Sequence, residues 1–133
     1  MISQITEVIF IGEYHDITEE TLKHYDFDVI INVNHFEIPE IHKLIPESVC
    51  YKWCPVPRDK DFKGDLKDAA RVLRVLVNLK GFKRILIHCM DGIDRAPFVV
   101  ALYLCKVAHL SLPQAYSLIK QQRKHIMEHY EWV

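Results

Sequence analysis

The chain has 133 residues, half of them hydrophobic, with a formal net charge of −1 at pH 7. That is enough to bury one substantial core in a single domain spanning residues 1–133. The near-zero charge excludes a global field that would draw the protein to nucleic acid or an anionic membrane, so partners have to be argued from a site.

In chain order, the β-branched runs VIFI (8–11), VIINV (29–33), VCYKW (49–53) and RILIH (84–88) have the length and composition of strands. The middle two and the last are apolar enough to be buried on both faces. Between and after them the spacing predicts helices. Thr18 is a good N-cap for a helix to about His24, and 38–44 is a weaker helical stretch. Residues 65–80 place Leu66, Ala69, Ala70, Leu73, Leu76 and Val77 on one face, with Gly81 as the stop. Pro97 suits a first helical turn, and the run from Phe98 to Cys105 is apolar on all sides, which makes that helix central. Another helix starts at SLPQ (111–114) and is expected to run to about Lys124.

Strands alternating with helices indicate an α/β fold, with a central, mostly parallel four- to five-stranded sheet flanked by helices. The start of the chain lacks the basic, apolar pattern of a secretory signal, and no uncharged segment approaches the ~20 residues that span a bilayer. Cys50, Cys54, Cys89 and Cys105 are too scattered for a disulfide framework. A cytoplasmic protein with reduced thiols is expected.

The chemistry is concentrated in IHCMDGIDRAP (87–97). A strand ends at His88, a short loop follows, and a helix begins near Ala96, so loop amides and a helix N-terminus converge on one small space suited to an oxyanion. Gly92 allows the backbone a positive φ, which keeps successive N–H groups turned inward. Cys89 lies at the floor of that cradle, where amides and helix dipole favour a nucleophilic thiolate. Arg95 offers a planar fork for two oxygens of a phosphate, which a lysine cannot match. The arrangement fits in-line displacement at phosphorus through a cysteinyl-phosphate, with Met90, Asp91, Gly92, Ile93, Asp94 and Arg95 forming the phosphate-binding loop. An isolated cysteine at a strand end is usually a small buried hydrophobe; the joint H-C-x-x-G-x-x-R spacing in a strand–loop–helix context outweighs that reading.

On these residues the chain resembles the cysteine-dependent protein tyrosine phosphatases, specifically the small dual-specificity branch with its H-C-x5-R signature. The resemblance extends to ITEVIFIG (5–12), FDVIINV (27–33) and SLPQAYSLI (111–119). It implies a phosphomonoester hydrolase with Cys89 as nucleophile, Arg95 as phosphate clamp and His88 orienting the loop. It also implies a general acid from a loop roughly thirty residues upstream. That loop reads CPVPRDKDF (54–62), where Asp59 is the first candidate and Asp61 the reserve; a merely solvated acidic loop is the alternative.

Three departures bear on mechanism. Ala96 stands where the family usually has a serine or threonine that steadies the departing thiolate, so breakdown of the intermediate should be slow. Arg95-Ala96-Pro97 resembles the phosphatases of regenerating liver, but their partnering cysteine is not matched by Val33-Asn34-His35, and no disulfide from that position to Cys89 is expected. Asp91 and Asp94 resemble the C-x-D-x-x-D-R loops of myotubularin-type and Sac-type phosphoinositide phosphatases. Either both side chains pair with neighbouring N–H groups or basic residues, which a helix N-terminus favours, or Asp94 handles the proton and makes Asp59 dispensable. The C-x5-R spacing argues against rhodanese-type sulfur transferases, and its place in the chain against low-molecular-weight phosphatases.

Cys50 and Cys54 read as core thiols rather than zinc ligands, since no second pair accompanies them. His125, Glu128 and His129 could hold a metal, but a solvated helix face is the blander reading. Arg123 could help frame an acidic substrate. The expected protein is a metal- and cofactor-independent dual-specificity phosphatase, a monomer, acting on phosphoprotein. A phosphoinositide phosphatase and a feeble phosphate-binding interaction module are the alternatives.

Overall fold

The computed structural model describes residues 1–34, 36–55, 70, 71, 73, 74, 77, 78 and 80–132. Five strands form one sheet: β1 (Ser3–Gln4), β2 (Ile9–Glu13), β3 (Val29–Asn32), β4 (Cys50–Trp53) and β5 (Ile85–Cys89), in the order β1-β2-β5-β3-β4. Only β1 is antiparallel; β5 lies between β2 and β3 with parallel pairing on both sides, Ile87 opposite Ile11 and Ile31. Among the described residues, helices with both ends visible are α1 (Glu19–Tyr25), α2 (Pro39–His42), α3 (Arg95–Val107) and α4 (Leu112–Lys120).

Alternation along each strand divides the core in two, because successive side chains point to opposite faces. Ile9, Ile11, Val29, Ile31, Ile85 and Ile87 face the layer of Phe98, Val99, Tyr116 and Ile119. Phe10, Ile30 and Leu86 face the layer of Ile17, Phe27, Ile38 and Ile41. The α/β expectation therefore holds, with corrections in detail. The third predicted strand is not buried on both faces: β4 is an edge strand, half-buried at Cys50 and Tyr51 and exposed at Lys52 and Trp53. The first strand, which was not singled out, has four fully buried residues.

Helix starts follow local chemistry. Thr18 caps α1 by accepting from the Thr21 N–H, and Ser111 caps α4 by accepting from the Gln114 N–H in a reciprocal box. Of the predicted 65–80 helix, residues 70, 71, 73 and 74 are helical, Ala70 and Leu73 are buried, and Gly81 follows with φ +70°.

The last helix departs from expectation. It ends at Lys120 rather than Lys124, closing with tight turns from the Gln121 and Gln122 N–H groups to the Leu118 and Ile119 carbonyls. Residues 121–132 then run irregularly back towards the end of β5. The predicted histidine-rich surface helix does not exist there; Ile126 and Trp132 are buried instead.

Candidate active site

β5 delivers Cys89 to the sheet's C-terminal edge, and α3 begins six residues later at Arg95. Parallel strands place loops and helix N-termini on that edge, where open α/β sheets form their sites. Both residues are buried, at 2% and 6% exposure, and both line a cavity of about 210 Å³ with Asn34, Phe36, Met90, Asp91 and Asp94. The structure thus brings together Cys89, Met90, Asp91, Asp94 and Arg95 as the spacing predicts. Asp59 and Asp61 lie outside the described residues.

The loop's polarity comes from where its carbonyls go. The Met90 carbonyl accepts from the Tyr14 N–H at 3.3 Å, and Asp91 and Gly92 from the Arg123 guanidinium at 3.4 and 2.8 Å. The Ile93 carbonyl accepts from the Met127 N–H at 3.0 Å and Asp94 from the Phe98 N–H at 3.2 Å. Five successive carbonyls are held by four residues: Tyr14 after β2, Arg123 and Met127 in the segment 121–132, and Phe98 in the first turn of α3. With the carbonyls engaged by the surrounding protein, the amide dipoles between them are free to aim at the cavity.

Gly92 is the pivot: its φ of +67° suits glycine, and a Cβ there would collide with the Arg123 guanidinium and come within 2.8 Å of the Gly12 carbonyl. Its N–H donates to Cys89 Sγ at 3.1 Å, a bond that strengthens when the sulfur carries charge.

His88 is fully buried, with Nδ1–H directed at the Cys89 carbonyl at 3.4 Å and Nε2 lacking a hydrogen-bond partner among the described residues. Burial lowers its pKa to about 4, only partly offset by that bond and by Asp16. It is neutral at physiological pH. Asn34 is equally buried: its N–H donates to Asn32 Oδ1 at 2.8 Å and its carbonyl accepts from Trp53 Nε1 at 2.9 Å. Among the described residues its side-chain amide has no hydrogen-bond partner.

Two residues take roles the sequence reading did not give them. Arg123 is engaged with the protein itself: besides the loop carbonyls, its Nη1 reaches the Met1 carbonyl at 2.6 Å and Ser3 Oγ at 3.0 Å. His129 is no metal ligand in company with His125 and Glu128. Its Nε2 lies 2.7 Å from Asp94 Oδ1 and its Nδ1 2.6 Å from Glu131 Oε1, while Glu128 binds Lys120 and Tyr130. Among the described residues no group of His, Cys, Asp or Glu is arranged to hold a metal. Asp94 precedes α3 but makes no side-chain cap bond to it; its Oδ1 faces His129 instead. Neither role is visible in spacing, because both contacts bridge more than thirty residues.

The four cysteines are free thiols, with Cys50 and Cys54 half-buried against the core; burial pushes the Cys54 thiol up. No helix among the described residues is long and apolar enough to cross a membrane.

The chain is 31% identical over 109 residues to the tyrosine-protein phosphatase MSG5 of Saccharomyces cerevisiae, covering 75% of this chain and 21% of that protein. It is 27% identical over 130 residues to the human dual specificity protein phosphatase 5, covering 96% and 32%. It thus spans about a fifth to a third of the curated relatives it matches. The fold superposes on the Cydia pomonella PTP-2 phosphatase with TM-score 0.82 at 15% identity, covering 98% of this chain and 84% of that one. On human DUSP28 the TM-score is 0.78 at 19% identity, covering 98% and 86%. Residues 9–133 match the family "Dual specificity phosphatase, catalytic domain", and the chain belongs to that family.

Proposed function

We propose that this chain hydrolyses phosphomonoesters on proteins, phosphotyrosine as well as phosphoserine and phosphothreonine, through a cysteinyl-phosphate on Cys89. The observation that carries the proposal is the ring of engaged loop carbonyls around a buried cysteine that already accepts an amide hydrogen bond. In the reaction Cys89 Sγ attacks phosphorus, the P–O bond to the substrate breaks, and Asp59 gives the leaving oxygen its proton. Arg95 and the loop amides hold the equatorial oxygens, where charge is spread in the transition state. Asp59, now a carboxylate, then takes a proton from water as the water oxygen attacks phosphorus, and the P–S bond breaks as the new P–O bond forms, restoring the Cys89 thiolate.

Ala96 is fully buried at the start of α3 and carries no hydroxyl for the departing sulfur. The second step is accordingly the slow one. The pairing of Asp94 with His129 supplies a non-catalytic reason for a carboxylate in the loop, so the protein phosphatase reading is preferred to the phosphoinositide one. Free thiols suit a reducing compartment, and a cytoplasmic location is part of the proposal.

The test is a rapid-mixing time course with an aryl phosphate, comparing wild type with Cys89→Ser. A Cys89-dependent burst of phenol followed by slow turnover is expected. Product release by neither protein, with phosphate binding retained by both, would replace the enzyme reading with a phosphate-binding interaction module.

A further inference from the structure

A carboxylate in the wall of an anion site needs an explanation, since an unpaired charge there would oppose a dianion. Asp94 lines the cavity with Cys89 and Arg95, and its side chain is 17% exposed. His129 is 12% exposed and places Nε2 against Asp94 and Nδ1 against Glu131. A neutral imidazole has a single N–H and can donate to one carboxylate only; both contacts are satisfied together when both nitrogens carry hydrogen.

The ring has no freedom to turn away. It stacks on Trp132 with centroids 3.7 Å apart and planes 2° from parallel, and Trp132 meets the edge of Phe98 at 5.3 Å. The His129 N–H donates to the Tyr116 hydroxyl at 3.1 Å, and the preceding Met127 N–H holds the Ile93 carbonyl of the loop. The histidine is therefore placed by two helices and by the loop itself.

We infer that His129 is a positioning residue for anion binding: its imidazolium neutralises Asp94 in the cavity wall, so the loop's affinity for a phosphate dianion depends on a side chain 35 residues downstream. The inference rests on the phosphate-site reading above and adds to it a charge partner supplied by the segment 121–132. Among the described contacts, the imidazole faces two carboxylates, Asp94 and Glu131, and Arg95 lines the same cavity as Asp94. Removing the imidazolium takes a positive charge away from beside the cavity that Asp94 lines; removing Asp94 takes a negative charge out of the cavity wall and leaves His129 facing Glu131.

The experiment is calorimetric titration of inorganic phosphate into the full chain at low ionic strength, for wild type, His129→Gln, Asp94→Asn and the double variant. One uncompensated charge in a partly screened site is worth on the order of ten-fold in affinity. His129→Gln should weaken phosphate binding by about that factor, and Asp94→Asn should tighten it roughly two- to five-fold. The double variant should return to within about three-fold of wild type, since the charges then balance as before. A double variant as weak as His129→Gln would mean that His129 merely docks the segment, and the inference falls. If His129→Gln does not fold, Asp94→Asn decides alone: unchanged or weaker phosphate binding overturns the inference. Wild-type protein that binds no phosphate overturns it together with the reading it rests on.

Discussion

The strand that delivers Cys89 and the segment that closes over the far side of its loop are built from opposite materials. β5 is apolar, paired with a parallel strand on each side, and fully buried from Ile85 to Cys89. Residues 121–132 contain no regular element, and they hold the loop through an arginine side chain, one backbone N–H and one imidazole. The first region acts by hydrophobic burial and ladder hydrogen bonds, which fix position along the whole strand. The second acts through a few directed polar contacts, which fix orientation at single atoms. Damage to the first should therefore appear as lost stability, and damage to the second as lost activity in a folded protein.

Ile87→Ala should show the largest effect on the strand side. The side chain is fully buried between β2 and β3, and such truncations cost about 2–5 kcal/mol. Urea unfolding should give a lower midpoint with an unchanged slope.

The next effect is on pH dependence, and it also belongs to the strand. Folding lowers His88 to about 4, whereas the unfolded chain has about 6.5, so as pH falls the unfolded form takes the proton first. The folded state should lose roughly 3 kcal/mol between pH 6.5 and 4 from this group and no more below. The difference in urea midpoint between wild type and His88→Gln, followed across that window, checks it: the gap should narrow as the pH is lowered.

Gly92→Ala tests the joint between the two regions. Positive φ in a residue with a side chain, together with displacement of Arg123, should cost roughly 1–3 kcal/mol, felt at the site. The expected outcome is a fall of about a hundred-fold in kcat/KM with a modest drop in Tm. Equal losses in both would erase the contrast between the regions.

Arg123→Gln is the smallest of the four and the sharpest. Two loop carbonyls lose their donor, at about 0.5–1.5 kcal/mol each, so kcat/KM should fall roughly ten-fold while Tm moves by a few degrees at most. A large Tm loss with normal activity would show that the segment supports the fold rather than the loop.

The same contrast explains what could be read from the sequence. β3, β5 and α3 are legible because unbroken apolar runs have few other places to go, and the Cys89–Gly92–Arg95 spacing sits where a strand becomes a helix. The edge position of β4 was missed because Val49 to Trp53 carries a buried strand's composition, while its neighbours, not its residues, decide how many faces are covered. The chain beyond Lys120 was read as helix because His125, Glu128 and His129 have helical spacing. Tertiary contacts override that local preference: Arg123 and His129 find their partners in the loop, and Trp132 finds Phe98. Local propensity carries no information about such distant partners.

The reach from Asp94 to His129 also orders events during synthesis. At about 5–20 residues per second, roughly two to eight seconds separate translation of Cys89 from that of His129. All five strands of the sheet have been synthesised by the time β5 ends, so the framework can begin to assemble while the residues that tie down its loop are still to come. Cys89 is thus made well before His129, and the contacts that tie down its loop can form only after the strand that carries it has been synthesised.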